Sequence, residues 1–369
     1  MKKINLLFLV LLLSSSCFVF INNNVAKADP NTIVVPDDYA TIQEAVDFAS
    51  EGDTVFVKNG TYHENLGIRK SIFLIGEDVE STIIDGNSSQ SYRVPINIFC
   101  SDVTVSGFTL KEGYSGIQFQ GGENCTITGN KITGGQFGIR GGNKNKIRDN
   151  IFENIGLGGA IRFDGSKYNV VQKNFIKSCT EGIQIMWESN FNTISENMVV
   201  DCKDVGIRLQ ESNENTLTQN IVRNSGVGIS VYIANNNTII QNNLINNTIE
   251  VGANEWYSRQ WGNDYSINTW DHNYYSDYNG TDADGDRIGD TPYIINLDNS
   301  DNYPFTREID FNSPPKDEKL EHDSFAEFSS QVIGFFTSKI GLIILAVTLV
   351  FVGIILTLVI LSKRKKALT

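Results

Sequence analysis

The chain has 369 residues and a formal charge of −13. That length suits one large elongated domain with end segments, and the acidic balance excludes a generic nucleic-acid binder, which needs a basic face. Beyond Cys17 in the leader, Cys100, Cys125, Cys179 and Cys202 form no C-x-x-C pair, which argues against a zinc cluster.

Residues 1–28 read as a secretory signal. Lys2 and Lys3 open it, residues 4–13 are its apolar core, and Ala26-Lys27-Ala28 is a cleavage site before Asp29. Residues 29–52 form an N-terminal cap. Within it, residues 39–49 place Ile42, Ala45, Val46 and Ala49 on one face of a helix. Such a helix can cover the open end and exposed edge of a strand stack. Residues 54–57, 71–76 and 82–86 read as strands, with Asn59-Gly60 as a turn.

The rest of the segment 53–252 repeats itself. Asn130, Asn150, Asn174, Asn197, Asn220 and Asn242 follow one another at 20, 24, 23, 23 and 22 residues. A small residue followed by Ile recurs at Ile117, Ile139, Ile161, Ile183, Ile207 and Ile229, with spacings of 22, 22, 22, 24 and 22. A fixed period means a stacked array. Apolar residues alternate within each unit, as in Ile183 and Ile185, which is strand periodicity. Three short strands and three turns per unit predict coils of a parallel β-helix. The asparagines then form a ladder of amides, and the isoleucines an inward column. Cys125 shares the inward parity of Ile127. Cys179 and Cys202 should stack in adjacent coils, either as a disulfide or as two buried thiols.

The residue after each anchor isoleucine should point outward: Gln118, Arg140, Arg162, Gln184, Arg208 and Ser230. Asp164, Met186 and Tyr232 lie two positions further on, and Trp187 sits at the edge. Arginines, amides and an aromatic on a flat sheet suit an extended glycan. Arg140, Arg162, Asp164, Gln184, Trp187 and Arg208 are therefore the candidate glycan-binding residues, against the alternative of an ordinary solvated face.

Residues 253–305 form a C-terminal cap that contains Trp256, Trp261 and Trp270. Its acidic loop offers Asp282, Asp284, Asp286 and Asp290 as ligands for Ca²⁺, or is an acidic turn. Residues 306–339 read as a stalk with Pro314-Pro315. Residues 340–361 carry no charge and suit one transmembrane helix. Lys363, Arg364, Lys365 and Lys366 place the tail, 362–369, in the cytoplasm. The predicted topology is a single-pass membrane protein with its large domain outside the cell. Asn59, Asn87, Asn124, Asn236, Asn246 and Asn279 stand in glycosylation sequons.

Residues 40–66, ATIQEAVDFASEGDTVFVKNGTYHENL, resemble the opening of pectin-lyase-like proteins. The Asn-rich coils and residues 273–295, NYYSDYNGTDADGDRIGDTPYII, resemble the NosD-type family, named for a periplasmic copper-processing protein. The resemblance implies an all-β, single-stranded right-handed parallel β-helix. The wider superfamily includes lyases, hydrolases, esterases, epimerases and binding proteins. No complete catalytic motif of its pectin-active members stands in this chain. Trp270-Asp271-His272 resembles part of a pectate-lyase motif, but falls within the cap pattern. Copper favours Cys, Met and His; the mature chain keeps only Met186, Met198 and the scattered His63, His272 and His322 beside its four cysteines, so copper is not carried over. The expected function is binding of carbohydrate or another cell-envelope component. The alternatives are a polysaccharide lyase or epimerase acting on acidic glycans, with Asp164 and Tyr232 as base candidates, and a structural or adhesion module.

Overall fold

The computed structural model describes residues 30–86, 93–156, 158–253 and 266–311. They form a parallel β-solenoid with three sheets of 13, 10 and 9 strands, here sheets A, B and C. Each coil contributes one strand to each sheet, so the next strand of a sheet comes one repeat later in sequence. Thr126–Thr128, for example, pairs in parallel with Lys146–Arg148 in sheet A. Only Tyr293–Ile294 and Ser300–Asp301, at the end of sheet A, pair antiparallel among the described strands.

The isoleucine column stands as expected. Ile117, Ile139, Ile161, Ile183, Ile207 and Ile229 are register partners in sheet C. Each is fully buried. Burying one such side chain contributes on the order of 1.5–3 kcal/mol. The small residue before each has a steric cause. A Cβ on Gly138 would lie 2.3 Å from the Ala160 carbonyl oxygen and 2.7 Å from the Phe152 ring.

The asparagine ladder is real and has a direction. From Asn150 onward each Oδ1 accepts from the backbone N–H and Nδ2 of the asparagine one coil earlier, as Asn197 does from Asn174 at 3.0 and 2.9 Å, while Asn130 Oδ1 accepts from Phe108 N. Nδ2 in turn bonds a carbonyl inside the stack, as Asn197 does to Val171 at 2.9 Å. The residue before each ladder asparagine is left-handed: Asp149, Lys173, Glu196, Gln219, Gln241 and His272 have φ of 54° to 56°. The ladder supplies partners for backbone groups that such a corner leaves unpaired. It runs on through Asn273 and ends at buried Asp301, whose carboxylate accepts from Asn273 N and Nδ2 and from Tyr275 Oη. A carboxylate suits that end because it only accepts. A second ladder, Asn145, Asn169, Asn192, Asn215, Asn237, Asn268 and Asn299, lines the opposite edge of sheet A.

At the N-terminal end, helix α1, Ile42–Phe48, is shorter than the 39–49 span that helical spacing predicts. Thr41 caps it by accepting from Glu44 N. Ile42, Ala45 and Val46 are buried against Thr32–Val35, Thr54–Val57 and Leu66–Ile68. The strand Thr32–Val35 was not anticipated; it extends sheet A by pairing with Thr54–Val57. Gly60, expected in a turn, opens the strand Gly60–Tyr62. At the other end, Thr269–Asp271 pairs with Thr238–Ile240, so Trp270 belongs to a further coil and not to a cap beyond the coils. Trp256 and Trp261 lie outside the described residues. So do the segments expected to be the signal (1–28), most of the stalk, the membrane helix (340–361) and the tail. Among the described residues no helix is long and apolar enough to cross a membrane.

Candidate functional site

The outward residues of sheet C fall in the expected register: Gln118 beside Arg140, then Arg162, Gln184, Arg208 and Ser230. Asp164 pairs with Met186, then Gln210 and Tyr232. Neighbouring strands stand about 4.8 Å apart, so Arg140 to Arg208 spans roughly 14 Å along the axis.

The arginines are not bare cations. Arg140 Nη2 lies 3.1 Å from Asp164 Oδ2, and Arg162 Nε lies 2.9 Å from Asp164 Oδ1. Asp164 thus joins two guanidinium groups and has both oxygens engaged. Arg208 makes a two-point contact with Glu181, Nε to Oε2 at 2.9 Å and Nη2 to Oε1 at 2.8 Å. The side chains of Glu181 and Asp164 are only 14% and 19% exposed. Guanidinium planes also lie on rings: Arg140 on Phe137, and Arg162 between Phe137 and Trp187, 5.5 and 5.0 Å from the ring centroids. Tyr114 meets Phe137 edge-on, and its Oη accepts from Arg140 Nη1 at 3.4 Å. Trp187 remains 46% exposed at the sheet edge.

Gln184 departs from the expected solvent-facing role. It holds its outward register but is only 4% exposed, because Gly159 and Glu181 crowd it. A Cβ on Gly159 would come within 3.3 Å of Gln184 Cδ, and its φ of +83° suits glycine. Gln184 Nε2 donates to Glu181 Oε2 at 2.8 Å. Its Oε1 is buried and has no hydrogen-bond partner among the described residues. Glu181 was missed by sequence reasoning. Alternation counted back from Ile183 assigns position 181 to the core, yet a carboxylate there would be unpaired and costly; it reaches Arg208 outside instead.

In the acidic loop, carboxylate oxygens of Asp282, Asp284 and Asp286 come within 4.8 Å of one another. Asp290 turns to Thr281 Oγ1 and Ala283 N, at 2.8 and 2.9 Å, and stands apart from that trio. Cys125, Cys179 and Cys202 are buried free thiols and Cys100 is half-buried. Burial pushes the Cys125 and Cys179 thiols up to about 11 and that of Cys202 to about 12.

The sequence profile of the family described as "Periplasmic copper-binding protein (NosD)" matches residues 46–280. This chain belongs to the NosD family. A cell surface glycoprotein of Methanothermus fervidus is 31% identical over 134 residues, 36% of this chain and 21% of that protein. The NosD-family chain therefore spans about a fifth of that relative's length. Among solved structures, an alginate lyase from Paenibacillus sp. has TM-score 0.50 at 15% identity, covering 66% of this chain and 94% of the lyase. An A-module of mannuronan C-5 epimerase from Azotobacter vinelandii has TM-score 0.49 at 18% identity, covering 63% and 81%. The lyase likeness bears on the fold alone, a parallel β-helix.

The family description raises copper, and the donors among the described residues do not fit it. Among the described residues, the only group of three or more His, Cys, Asp or Glu ligands close enough to share an ion is the Asp282, Asp284 and Asp286 trio. Those are hard oxygen donors, whereas copper prefers imidazole and sulfur. His63 pairs with Asp85, and His272 with Asp271. Met186 and Met198 lie in different sheets. Cys125, Cys179 and Cys202 are buried, and burial raises their thiol pKa values, which disfavours the thiolate form.

Proposed function

We propose that this NosD-family protein binds a glycan along the outer face of sheet C. The observation that carries the reading is the set Arg140, Arg162, Gln184 and Arg208, in register on consecutive strands, with exposed Trp187 beside them. Paired guanidinium and carboxylate groups present donors and acceptors side by side, which matches neighbouring sugar hydroxyls. An exposed indole offers an apolar platform for sugar C–H groups. A parallel sheet repeats these features along an axis, as an extended chain requires.

A binding role is favoured over a lyase or epimerase by geometry. Asp164, a candidate base, has both oxygens engaged by Arg140 and Arg162. Tyr232, the other, stands three strand steps away, roughly 14 Å. The two cannot share a proton. The family's periplasmic description and the cell-surface relative support an extracytoplasmic location for the solenoid. The uncharged run 340–361 would anchor it as a single-pass membrane protein, with the basic tail inside. The acidic loop, with its oxygen donors, would take Ca²⁺ rather than a softer ion.

The test is a calorimetric titration of wild type, Arg162→Ala and Trp187→Ala against an oligosaccharide panel. Binding by wild type, weakened about tenfold or more in either variant, is expected, since charge-assisted bonds and ring contacts each carry on the order of 1–3 kcal/mol. Equal affinity in all three would move the site off this face. Release of unsaturated or epimerised products would favour the enzyme.

A further inference from the structure

We infer that the ligand of sheet C is a neutral, hydroxyl-rich glycan and not a polyuronate. The inference rests on the glycan reading above and specifies its chemistry. Three observations point the same way.

The first is charge compensation. Arg140 and Arg162 share Asp164, and Arg208 is held at two points by Glu181. A uronate carboxylate approaching Arg162 or Arg208 would meet a carboxylate already in place, in a partly buried setting where like charges repel strongly. Sequence alone shows three cations in one column; the structure shows two of their counter-ions built in.

The second is the one buried polar atom on this face that lacks a partner among the described residues, Gln184 Oε1. It is an acceptor, and Nε2 of the same amide is committed to Glu181 Oε2 at 2.8 Å. The amide orientation is therefore fixed, because a flipped amide would set oxygen against oxygen. Oε1 is enclosed, so it takes a donor from a ligand only when the side chain turns toward the face. A sugar hydroxyl, or the N–H of an acetamido group, supplies one. The ring hydroxyls of a uronate can do the same, so this acceptor calls for a hydroxyl-rich ligand, and the exclusion of a polyuronate rests on the built-in carboxylates. Gln184 sits between Arg162 and Arg208 in the register, so the unmet acceptor lies at the centre of the proposed site.

The third is the aromatic edge. Trp187 and the Arg162 guanidinium stack at 5.0 Å, which holds the indole in place while 46% of the residue stays exposed. A preorganised ring at the rim of paired charges binds the apolar face of a pyranose, and that contact needs no net charge.

The experiment is calorimetric titration of the purified full-length protein with manno-, cello- and chito-oligosaccharides and with oligomannuronate and oligogalacturonate of equal length. Each is run at about 50 mM and about 500 mM salt, a range over which screening shortens from well above to well below 10 Å. At least one neutral series is expected to bind, with affinity changed less than about twofold by salt. Gln184→Met, which keeps the shape but removes the acceptor, is expected to weaken that binding by about fivefold or more. Trp187→Ala, at an exposed position, is the second variant and is expected to weaken it comparably. Tighter binding of an oligouronate, falling steeply with salt, would overturn this inference and leave the glycan reading standing. Binding of neither class would overturn both. Neutral binding unaffected in both variants would overturn the placement at Gln184.

Discussion

Replacing Asn197 by alanine tests the asparagine ladder at its middle. Asn197 is 1% exposed. Its Oδ1 accepts from Asn174 N and Nδ2 at 3.0 and 2.9 Å. Its Nδ2 donates to Val171 O and Asn220 Oδ1 at 2.9 and 3.0 Å. The substitution removes these four hydrogen bonds, each worth about 1 kcal/mol net. Asn174 Nδ2 keeps partners in Ile147 O and Gln172 O, but the backbone N–H of Asn174 is stranded in the core. Asn220 Oδ1 still accepts from the backbone N–H of position 197. The expected cost is about 4 kcal/mol, or roughly a 10 °C fall in melting midpoint for a domain of this size. Urea denaturation followed by circular dichroism measures it. Lys203→Ala, exposed in a neighbouring turn, is the control and should stay within about 0.5 kcal/mol of wild type. A loss below about 1 kcal/mol at position 197 would refute the view that the amide ladder holds the coils together.

Arg208→Ala leaves the Glu181 carboxylate with only the Gln184 amide among its described partners and should cost about 1–2 kcal/mol in the same assay, whereas Arg208→Lys should cost less. The thiol pKa values of Cys179 and Cys202 are raised by burial to about 11 and about 12, so the folded state holds protons that the unfolded state loses. Their contribution is complete below the ordinary thiol range near pH 9 and declines by about 1.4 kcal/mol per pH unit per thiol between pH 9 and the folded pKa; a stability-versus-pH series on Cys179→Ala should show a shallower alkaline decline. Iodoacetamide at pH 8 should label Cys100 before Cys179 and Cys202, and equal labelling of all in the native state would contradict their burial. Millimolar Ca²⁺ should raise the melting temperature of wild type and not of Asp284→Ala; an equal rise in both would place the ion elsewhere.

The array was legible because its signal is periodic. The isoleucine column and the first asparagine ladder follow from fixed spacings, since one face of a strand must be apolar and every corner needs the same backbone partners. The end of that ladder was hidden. From Asn242 to Asn273 the step is 31 residues, and from there to Asp301 it is 28, so inserted segments break the period while the stacking continues. The second ladder was legible in principle, since Asn192, Asn215 and Asn237 recur at 23 and 22 residues just ahead of strand residues, but that recurrence alone does not say that their amides bond. On sheet C, sequence fixes which residues share a face and not which touch. Arg208 finds Glu181 from the start of the preceding strand, 27 residues away. No period within the outward column announces that pair. Gln184 illustrates the same limit: parity turns it outward, while the packing of Gly159 and Glu181 buries it.

The most direct test of the central claim is hydroxyl-radical footprinting of the full-length protein with and without saturating oligosaccharide. Trp187 is 46% exposed on the proposed face, while Phe48 and Tyr303, at 67% and 54%, are exposed elsewhere. A glycan on sheet C should lower Trp187 oxidation several-fold and leave Phe48 and Tyr303 unchanged; a bound glycan that leaves Trp187 as reactive as before would contradict the assignment of this face.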